Sequence, residues 1–289
     1  MAEGVDDPFR LCVSPDNFAA QLDELLRLTE PCTMDELDTP SRRPRSVVTF
    51  DDGYADNLWH ALPIARAKGV PITVYVTSGK VDDNRGMWWD RMAAVLAARP
   101  ASVSEVVLPL PSGELRLPLG EPRSRADLAT LRTHLLPLTV PEIEAVLERV
   151  ADAWSVSSAA PADARTVTSA ELDELAAADV VTIGAHTVDH LRLRGQPPGE
   201  QARAVAASKA ALQERLGRAV AHFAYPYGGH DAFDDTSVQA VREAGFATAC
   251  TTVPGSAHSG TDALRVPRRI AADWSRLRFR AQMLRWGVA

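Results

Sequence analysis

The alternation of short apolar runs with helical segments is the feature that most constrains how this chain can fold. Apolar, β-branched runs of strand length lie at residues 46–50, 72–77, 180–185, 222–225 and 247–252, with a weaker one at 265–271. Helical periodicity fills the intervals, for example at 16–28, 56–68, 169–178, 199–216 and 237–244. This alternation predicts βα units around a parallel sheet. Six strands are fewer than the eight of a closed TIM barrel, so we predict an α/β fold with an incomplete, distorted (β/α) barrel.

Residues 82–169 interrupt this rhythm. The sequence predicts a helix at 87–98, a hairpin of strands 105–110 and 114–119, and helices at 125–136 and 141–154. No long linker, repeat or low-complexity stretch flanks the segment, so we interpret the chain as a single domain, 1–289, with a helical-plus-hairpin insertion at about 82–169. Trp88 and Trp89 would either form a wall on which a sugar ring stacks or simply anchor the insertion.

Composition excludes several classes of protein. The 289 residues carry a formal net charge of −7, which argues against a nucleic-acid binder. Three cysteines, Cys12, Cys32 and Cys250, are an odd number without metal-binding spacing, so a disulfide framework is excluded and a reducing compartment is favoured. No apolar run approaches the length of a transmembrane segment, and the N-terminus has no features of a signal peptide. We therefore expect a cytoplasmic protein.

Two adjacent carboxylates follow the first predicted strand, at the end where parallel βα folds place their sites. Asp51 and Asp52 come directly after the run at 46–50 and before Gly53. Because neighbouring carboxylates repel each other, the pair predicts a bound cation or a shared proton. Asp-Asp-Gly would also suit a surface turn.

Two histidines follow the strand predicted at 180–185. His186 and His190 are four residues apart, so one helical turn after the strand would put both imidazoles on the same side. Neutral imidazole is a good zinc ligand, and the spacing therefore favours a divalent metal over two unrelated loop histidines.

A turn of sequence Y-P-Y-G-G-H, at 225–230, ends the strand predicted at 222–225. Such a turn can direct backbone N–H groups towards a ligand, or it can be purely structural. The three segments together are more specific than any one of them. One carboxylate and two histidines make an Asp-His-His metal site with open positions for water and substrate, and the other carboxylate is left to act as a base.

These segments, in this order, resemble the polysaccharide deacetylase family, also called the NodB-homology or carbohydrate esterase 4 family. Residues 49–53 match its first motif, T-F-D-D-G, and residues 186–190 match its second, H-[ST]-x-x-H. Residues 224–228 match part of its third motif, R-x-P-[YF]-G. The resemblance covers residues 46–270. The F-A-Y-P-Y-G sequence at 223–228 is similar to a subgroup that deacetylates poly-N-acetylglucosamine or builds glycans and glycolipids.

The resemblance implies a role for each matched residue. Asp51 would be the general base, and Asp52, His186 and His190 would hold a divalent metal, by default Zn²⁺, although Co²⁺, Ni²⁺, Mn²⁺ and Fe²⁺ suit the same ligands. A backbone N–H near Tyr227 would help to hold the tetrahedral oxyanion. The reaction would release acetate and leave a free amine.

The third motif departs from the family pattern. Ala224 stands where many members carry an arginine that orients the base, so Asp51 needs another partner. Arg268 and Arg269, near the end of the last predicted strand, are the candidates.

The general-acid histidine of the family is also missing, since no histidine follows His258. The subgroup carries this histidine on an N-terminal strand instead. We therefore expect either a strand upstream of Met1 or a substitute acid, for which His230 is the best placed of the histidines present.

Three functions remain open at this stage. The leading one is a metal-dependent N-deacetylase acting on an amino sugar, such as a nucleotide sugar, a glycolipid or a glycoside. A hydrolase of a non-acetyl or cyclic amide would use the same chemistry. A catalytically weak or inactive carbohydrate-binding homologue is favoured by the missing acid and arginine, and is opposed by the intact Asp51, Asp52, His186 and His190.

Overall fold

The computed structural model describes residues 9, 11–120 and 124–288. Its helices are α1 (Pro15–Leu28), α2 (Leu62–Lys68), α3 (Trp88–Ala97), α4 (Arg125–Leu135), α5 (Val140–Trp154), α6 (Ser169–Ala177), α7 (Pro198–Leu216), α8 (Asp235–Glu243) and α9 (Arg276–Arg285). Its strands are β1 (Glu30–Pro31), β2 (Arg45–Ser46), β3 (Val48–Phe50), β4 (Ile72–Val76), β5 (Glu105–Leu110), β6 (Gly113–Pro118), β7 (Val181–Ala185), β8 (His222–Ala224) and β9 (Thr248–Cys250). None of the helices in these ranges has the length and apolar composition that crossing a bilayer requires.

Five strands form one parallel sheet in the order β3-β4-β7-β8-β9, which is also their order along the chain. At least one helix lies on each connection, as expected for βα units. The sheet curls into a parallel half-barrel, and this confirms the α/β class and the incomplete barrel predicted from the sequence. All five residues of β4 are buried, in keeping with a central strand covered on both faces.

The carboxyl ends of neighbouring strands lie within two residues of one another in register. Val76, the last residue of β4, pairs with Ala185, the last residue of β7. Ala224 at the end of β8 pairs in the same way with Cys250 at the end of β9. Residues that directly follow the strands are therefore brought to a single edge of the sheet.

Local sequence signals end the helices where they were expected. Gly69 caps α2 at φ 63°, and Gly245 follows α8 at φ 73°, a left-handed conformation that glycine adopts without a steric penalty. Thr168 begins α6 with a capping box, because its side chain and that of Glu171 each bond the other's backbone N–H.

The strand predicted at 265–271 is wrong. The chain forms a 3₁₀ turn at Ala263–Arg265, and Val266 alone pairs with Cys250 in an isolated parallel bridge. Proline at position 267 has no N–H to donate, so the ladder cannot continue past Val266.

Three further features were not predicted. The helix expected at 56–68 begins with a π-helical turn at Asn57–Ala61, after which Pro63 enters the first turn of α2. The short parallel pair β1–β2 and the helix α9 were not expected from the sequence either. Only Phe279 and Met283 are buried in α9, so its apolar periodicity is weak.

Residues Asp82–Thr166 form a compact unit distinct from the one built by Leu11–Val81 and Val167–Ala289. It contains α3, the antiparallel hairpin β5–β6, α4 and α5. Trp88 and Trp89 are only 2% and 7% exposed and pack edge-on against each other, with ring centroids 5.6 Å apart. The guanidinium of Arg91 is fully buried and lies 3.0 Å from a carboxylate oxygen of Glu148.

We predict that Gly184→Ala destabilises the protein by ~1–3 kcal/mol, because overpacking a filled core forces neighbouring atoms to shift. A Cβ at Gly184 would collide with the buried ring of Tyr75 and approach the carbonyl oxygen of His222 to 3.0 Å. Gly199→Ala is the matched control, since that glycine lies in α7 and its added Cβ meets no atom within 4 Å. Thermal melting should show a lower transition for Gly184→Ala alone. Equal melting temperatures for the two variants would contradict the prediction.

Candidate metal centre

Asp52, His186 and His190 converge at the carboxyl edge of the sheet. Asp52 lies in the turn after β3, and the two histidines lie in the segment after β7. The three ligand atoms lie within 4.8 Å of one another. Oδ1 of Asp52 is 3.4 Å from Nε2 of His186 and 3.3 Å from Nε2 of His190. The expected trio is thus brought together in space.

These separations fit a common metal ion. Donor atoms bound at about 2.1 Å in a tetrahedron are about 3.4 Å apart. Oδ1 of Asp52 is buried and has no hydrogen-bond partner among the described residues, which would be costly without a cation. The donor set is one carboxylate oxygen and two imidazole nitrogens, a combination that zinc and several other divalent metals accept.

A hydrogen bond sets the tautomer of His186. Its Nδ1 lies 2.7 Å from the carbonyl oxygen of Ala224 and must donate, because a carbonyl only accepts. In the neutral ring, Nε2 then carries a lone pair directed at the carboxylate oxygen of Asp52. Two facing lone pairs call for a positive charge between them, which a metal ion would provide.

Burial and charge act differently on the two imidazoles. Burial lowers the pKa of His190 to about 4, against the opposing effect of the Asp52 charge, so this ring is neutral at pH 7. Burial would also lower the pKa of His186, but the nearby carboxylates of Asp52 and Asp51, with the bond that its ring makes to the carbonyl of Ala224, outweigh it and raise that pKa. A neutral ring is the ligand form of histidine.

Backbone strain is concentrated at this centre. Six non-glycine residues have a positive φ in the described ranges, and four of them lie in the segments after β3, β7 and β8: Asp52 (72°), Thr187 (62°), His190 (58°) and Tyr227 (62°). Each such conformation costs of order 1–3 kcal/mol. Thr187 is β-branched and fully buried, so it is the strongest outlier. The surrounding packing holds these backbones in place and thereby directs the side chains.

Asp51 is held by Arg268 in a two-pronged ion pair. Both guanidinium NH2 groups donate to its carboxylate oxygens at 2.7 Å. Burial by itself would raise the pKa of Asp51, but the charge and hydrogen bonds of Arg268, with the nearby His186 and His190, lower it to about 2. Of the two arginines considered from the sequence, Arg268 is the one that pairs with Asp51. Arg269 instead lies over the ring of Trp286, at 5.2 Å.

Three groups orient Arg268 in turn. Its Nε donates to the carbonyl oxygen of Thr251 at 3.0 Å, and one NH2 group donates to Oγ1 of Thr49 at 3.0 Å. Its guanidinium lies 5.5 Å from the ring centre of Tyr75, a residue that the sequence analysis did not single out. Tyr75 lies in β4, and nothing in its local sequence signals a contact that bridges distant parts of the chain.

Tyr227 and His230 lie in the turn after β8 but differ in position. The ring of Tyr227 packs edge-on against that of His190, with centroids 4.5 Å apart, so this residue is beside the candidate ligands. His230 is exposed, and its carbonyl oxygen accepts a hydrogen bond from Arg194 at 2.6 Å. Within the described residues, no hydrogen bond or ring contact joins the imidazole of His230 to Asp52, His186 or His190.

The family model described as polysaccharide deacetylase matches residues 38–107 and 126–249, about two thirds of the sequence. The chain belongs to the polysaccharide deacetylase family. This membership supports a deacetylase that acts on carbohydrate. The matched residues include Asp51, Asp52, His186, His190 and the turn at Tyr227, whereas Arg268 lies outside them. A search among curated proteins finds no match.

Several solved structures share the fold at low sequence identity. The Streptococcus pyogenes deacetylase PplD, solved in complex with acetate, is 18% identical with a TM-score of 0.54, over 96% of this chain and 88% of that one. IcaB from Ammonifex degensii is 19% identical with a TM-score of 0.61, and the match covers 96% of this chain and 91% of that one. A polysaccharide deacetylase from Bacillus cereus is 18% identical with a TM-score of 0.61, and this chain covers 65% of its length.

We predict that the double variant His186→Ala/His190→Ala loses tight Zn²⁺ binding, because only one of the three candidate ligands, the carboxylate of Asp52, is left. The variant should remain folded. His258→Ala is the control, since His258 is exposed and outside the ligand cluster. Calorimetric titration with Zn²⁺ should show binding for the wild type and the control only. Undiminished binding by the double variant would place the metal elsewhere.

Proposed function

We propose that this deacetylase is a metal-dependent hydrolase that removes the N-acetyl group of an amino-sugar substrate. The observation that carries the proposal is the Asp52-His186-His190 cluster next to the Asp51–Arg268 ion pair, all at the carboxyl edge of the parallel sheet. Metal ligands and a separately held carboxylate are the two components that metal-assisted amide hydrolysis requires.

Asp52, His186 and His190 would hold the metal. Zinc is our first choice, and cobalt, nickel, manganese or iron would suit the same donors. A divalent ion bound there would polarise the amide carbonyl and lower the pKa of water. Three protein ligands leave positions open, as catalytic centres require and closed structural sites do not.

Asp51 is proposed as the general base. Its carboxyl is ionised at neutral pH, since Arg268 and the two histidines keep its pKa at about 2. Each carboxylate oxygen accepts one bond from Arg268 and keeps a further lone pair that can take a proton from the attacking water. Arg268 acts through Asp51, fixing its orientation rather than touching the substrate.

The turn after β8 is proposed to serve the later steps. The backbone N–H of Tyr227 would donate to the oxyanion, a role supported by the contact of its ring with His190. His230 would protonate the leaving nitrogen, as the histidine that follows this turn. If a His230→Ala variant turned over at the full rate, His230 would not be the acid. Asp51 would then give the proton that it has taken from water to the leaving nitrogen.

The substrate class follows from the family rather than from the geometry. An N-acylated amino sugar carried on a nucleotide, a lipid or a glycan presents the amide that this site would cleave. A non-acetyl or cyclic amide would need the same residues and a pocket of different size.

A catalytically weak carbohydrate-binding homologue is the second candidate. One observation favours it: among the described residues, the imidazole of His230 is exposed and makes no contact with the metal ligands. General acid catalysis typically accelerates a reaction by 10²–10⁴-fold, so its loss would slow turnover without affecting metal binding. Acetate release from N-acetylglucosamine compounds distinguishes the two candidates, since the weak homologue would release little although its metal site is filled.

We predict that Asp51→Asn retains bound metal and lowers turnover by roughly 10²-fold or more, because the side-chain amide of asparagine cannot take a proton from the attacking water. Acetate release and metal content should be measured on the same preparations. A variant within twofold of the wild type would exclude Asp51 as the base.

We predict that Arg268→Met lowers kcat by about 10–100-fold, the usual cost of removing a group that orients a reacting residue. KM and metal content should change little, because Arg268 contacts Asp51 and none of the three metal ligands. Arg269→Met is the neighbouring control, as its guanidinium lies over Trp286. Equal activity of the two variants would show that the ion pair with Asp51 is not needed for catalysis.

A further inference from the structure

The end of the chain carries the opposite charge to the rest of it. Residues 265–289 contain seven arginines and one acidic residue, Asp273, a formal net charge of +6 in a chain whose overall charge is −7. Such asymmetry indicates a surface that meets an anionic partner. Two of these arginines serve the fold or the site: Arg265 pairs with Asp235, and Arg268 pairs with Asp51.

Most of the remaining charge lies on α9. One face of this helix is buried through Phe279 and Met283, 5% and 4% exposed, which pack in a cluster with Leu25 of α1. The opposite face is apolar as well: Leu277 is 77% exposed and Leu284 is 47% exposed. These two leucines are seven residues apart, so they lie on one line along the outer surface of the helix, with the exposed Ala281 between them.

Arginines flank this apolar line on both sides. With 100° between successive residues, Arg278 and Arg285 fall on one side of it, and Arg276 and Arg280 on the other. Arg276 and Arg280 are 49% and 45% exposed. An exposed apolar line between two rows of cations is the pattern of a helix that lies in a membrane interface.

The protein neutralises little of this charge. Arg276 and Arg280 approach the same carboxylate, that of Glu24, at 2.6 and 3.8 Å. Within the described ranges, no ion pair is found for Arg278 or Arg285. The guanidinium of Arg278 lies 5.9 Å from the ring centre of Trp274 and is exposed.

We propose that the outer face of α9, formed by Leu277, Ala281 and Leu284 with the four flanking arginines, docks the protein on an anionic lipid bilayer. Lipid headgroups would pair with the guanidinium groups, and the leucines would enter the boundary between headgroups and acyl chains. The inference concerns binding and does not depend on the deacetylase reaction.

Two other occupants fit this face less well. A second copy of the chain would bring two sets of four arginines together, and like charges at an interface are unfavourable. A nucleic acid would match the arginines but leave the exposed leucines without an apolar partner. An anionic bilayer satisfies both the charge and the apolar line.

The test is sedimentation of the full chain with vesicles of phosphatidylcholine mixed with phosphatidylglycerol, compared with vesicles of phosphatidylcholine alone. We expect binding to the anionic vesicles only, with weaker binding as salt is added. Arg278→Glu/Arg285→Glu should lower partitioning onto the anionic vesicles by about 25-fold or more, since each cation near an anionic surface raises the partition coefficient about fivefold. Leu277→Gln/Leu284→Gln should lower it by about tenfold or more.

The control is Arg66→Glu/Arg203→Glu, which makes the same change in net charge at exposed arginines of α2 and α7. Its partitioning should stay within about twofold of the wild type, because only charge on α9 would face the headgroups. Circular dichroism should show that every variant keeps its helix content, and the single Leu277→Gln variant serves if the double leucine variant does not fold.

Four results would overturn the proposal: no binding to anionic vesicles, an equal loss in the control, no effect of the leucine substitutions, or preferential binding to a DNA oligonucleotide that the vesicles do not displace.

Discussion

The parallel register of the five-stranded sheet is the constraint on which the rest of the site depends. Because neighbouring strands end within two residues of one another in register, the residues after β3, β7 and β8 arrive at one edge although they are far apart in the chain. Asp52 and His186 meet there across more than a hundred residues of sequence. A slip of one residue in this register would turn the side chains to the opposite face and separate the donor atoms.

The centre that forms at this edge is electrostatically incomplete without a cation. A carboxylate oxygen of Asp52 has no hydrogen-bond donor in the described structure, and Nε2 of His186 lies 3.4 Å from it. The positive φ angles of Asp52 and His190 show that the fold accepts backbone strain to bring these atoms together. Asp51, by contrast, forms a two-pronged ion pair with Arg268, so the two adjacent carboxylates have different surroundings.

Charge is divided unevenly over the molecule. The acidic residues give the chain its overall charge of −7, whereas α9 and the segment before it are strongly basic. Arg268 belongs to the same basic segment and is used at the candidate site, while the arginines on the outer face of α9 have few partners within the protein. The same stretch of sequence thus supplies one mostly buried arginine that pairs with Asp51 and several exposed arginines on the outer face of α9.

Local patterning determined much of this protein. Five apolar runs became the five strands of the sheet, the helices between them formed close to their predicted bounds, and Gly69 and Gly245 follow the ends of two of these helices. The motif residues Asp51, Asp52, His186 and His190 could be identified without a structure, because each follows a strand whose end was recognisable from periodicity. These features depend on contacts between near neighbours in sequence, which a local pattern can encode.

Only the tertiary structure decided the features that join distant segments. Arg268 and Arg269 are equivalent in sequence terms, and the path of the chain after the single bridge at Val266 determined which of them reaches Asp51. The support that Tyr75 gives to Arg268 depends on how β4 lies beside the last segment of the unit. The sixth strand failed because Pro267 stops the ladder, and α9 was missed because its buried face consists of two residues. Packing between distant segments determines these outcomes, and a local periodicity in the sequence does not predict such packing.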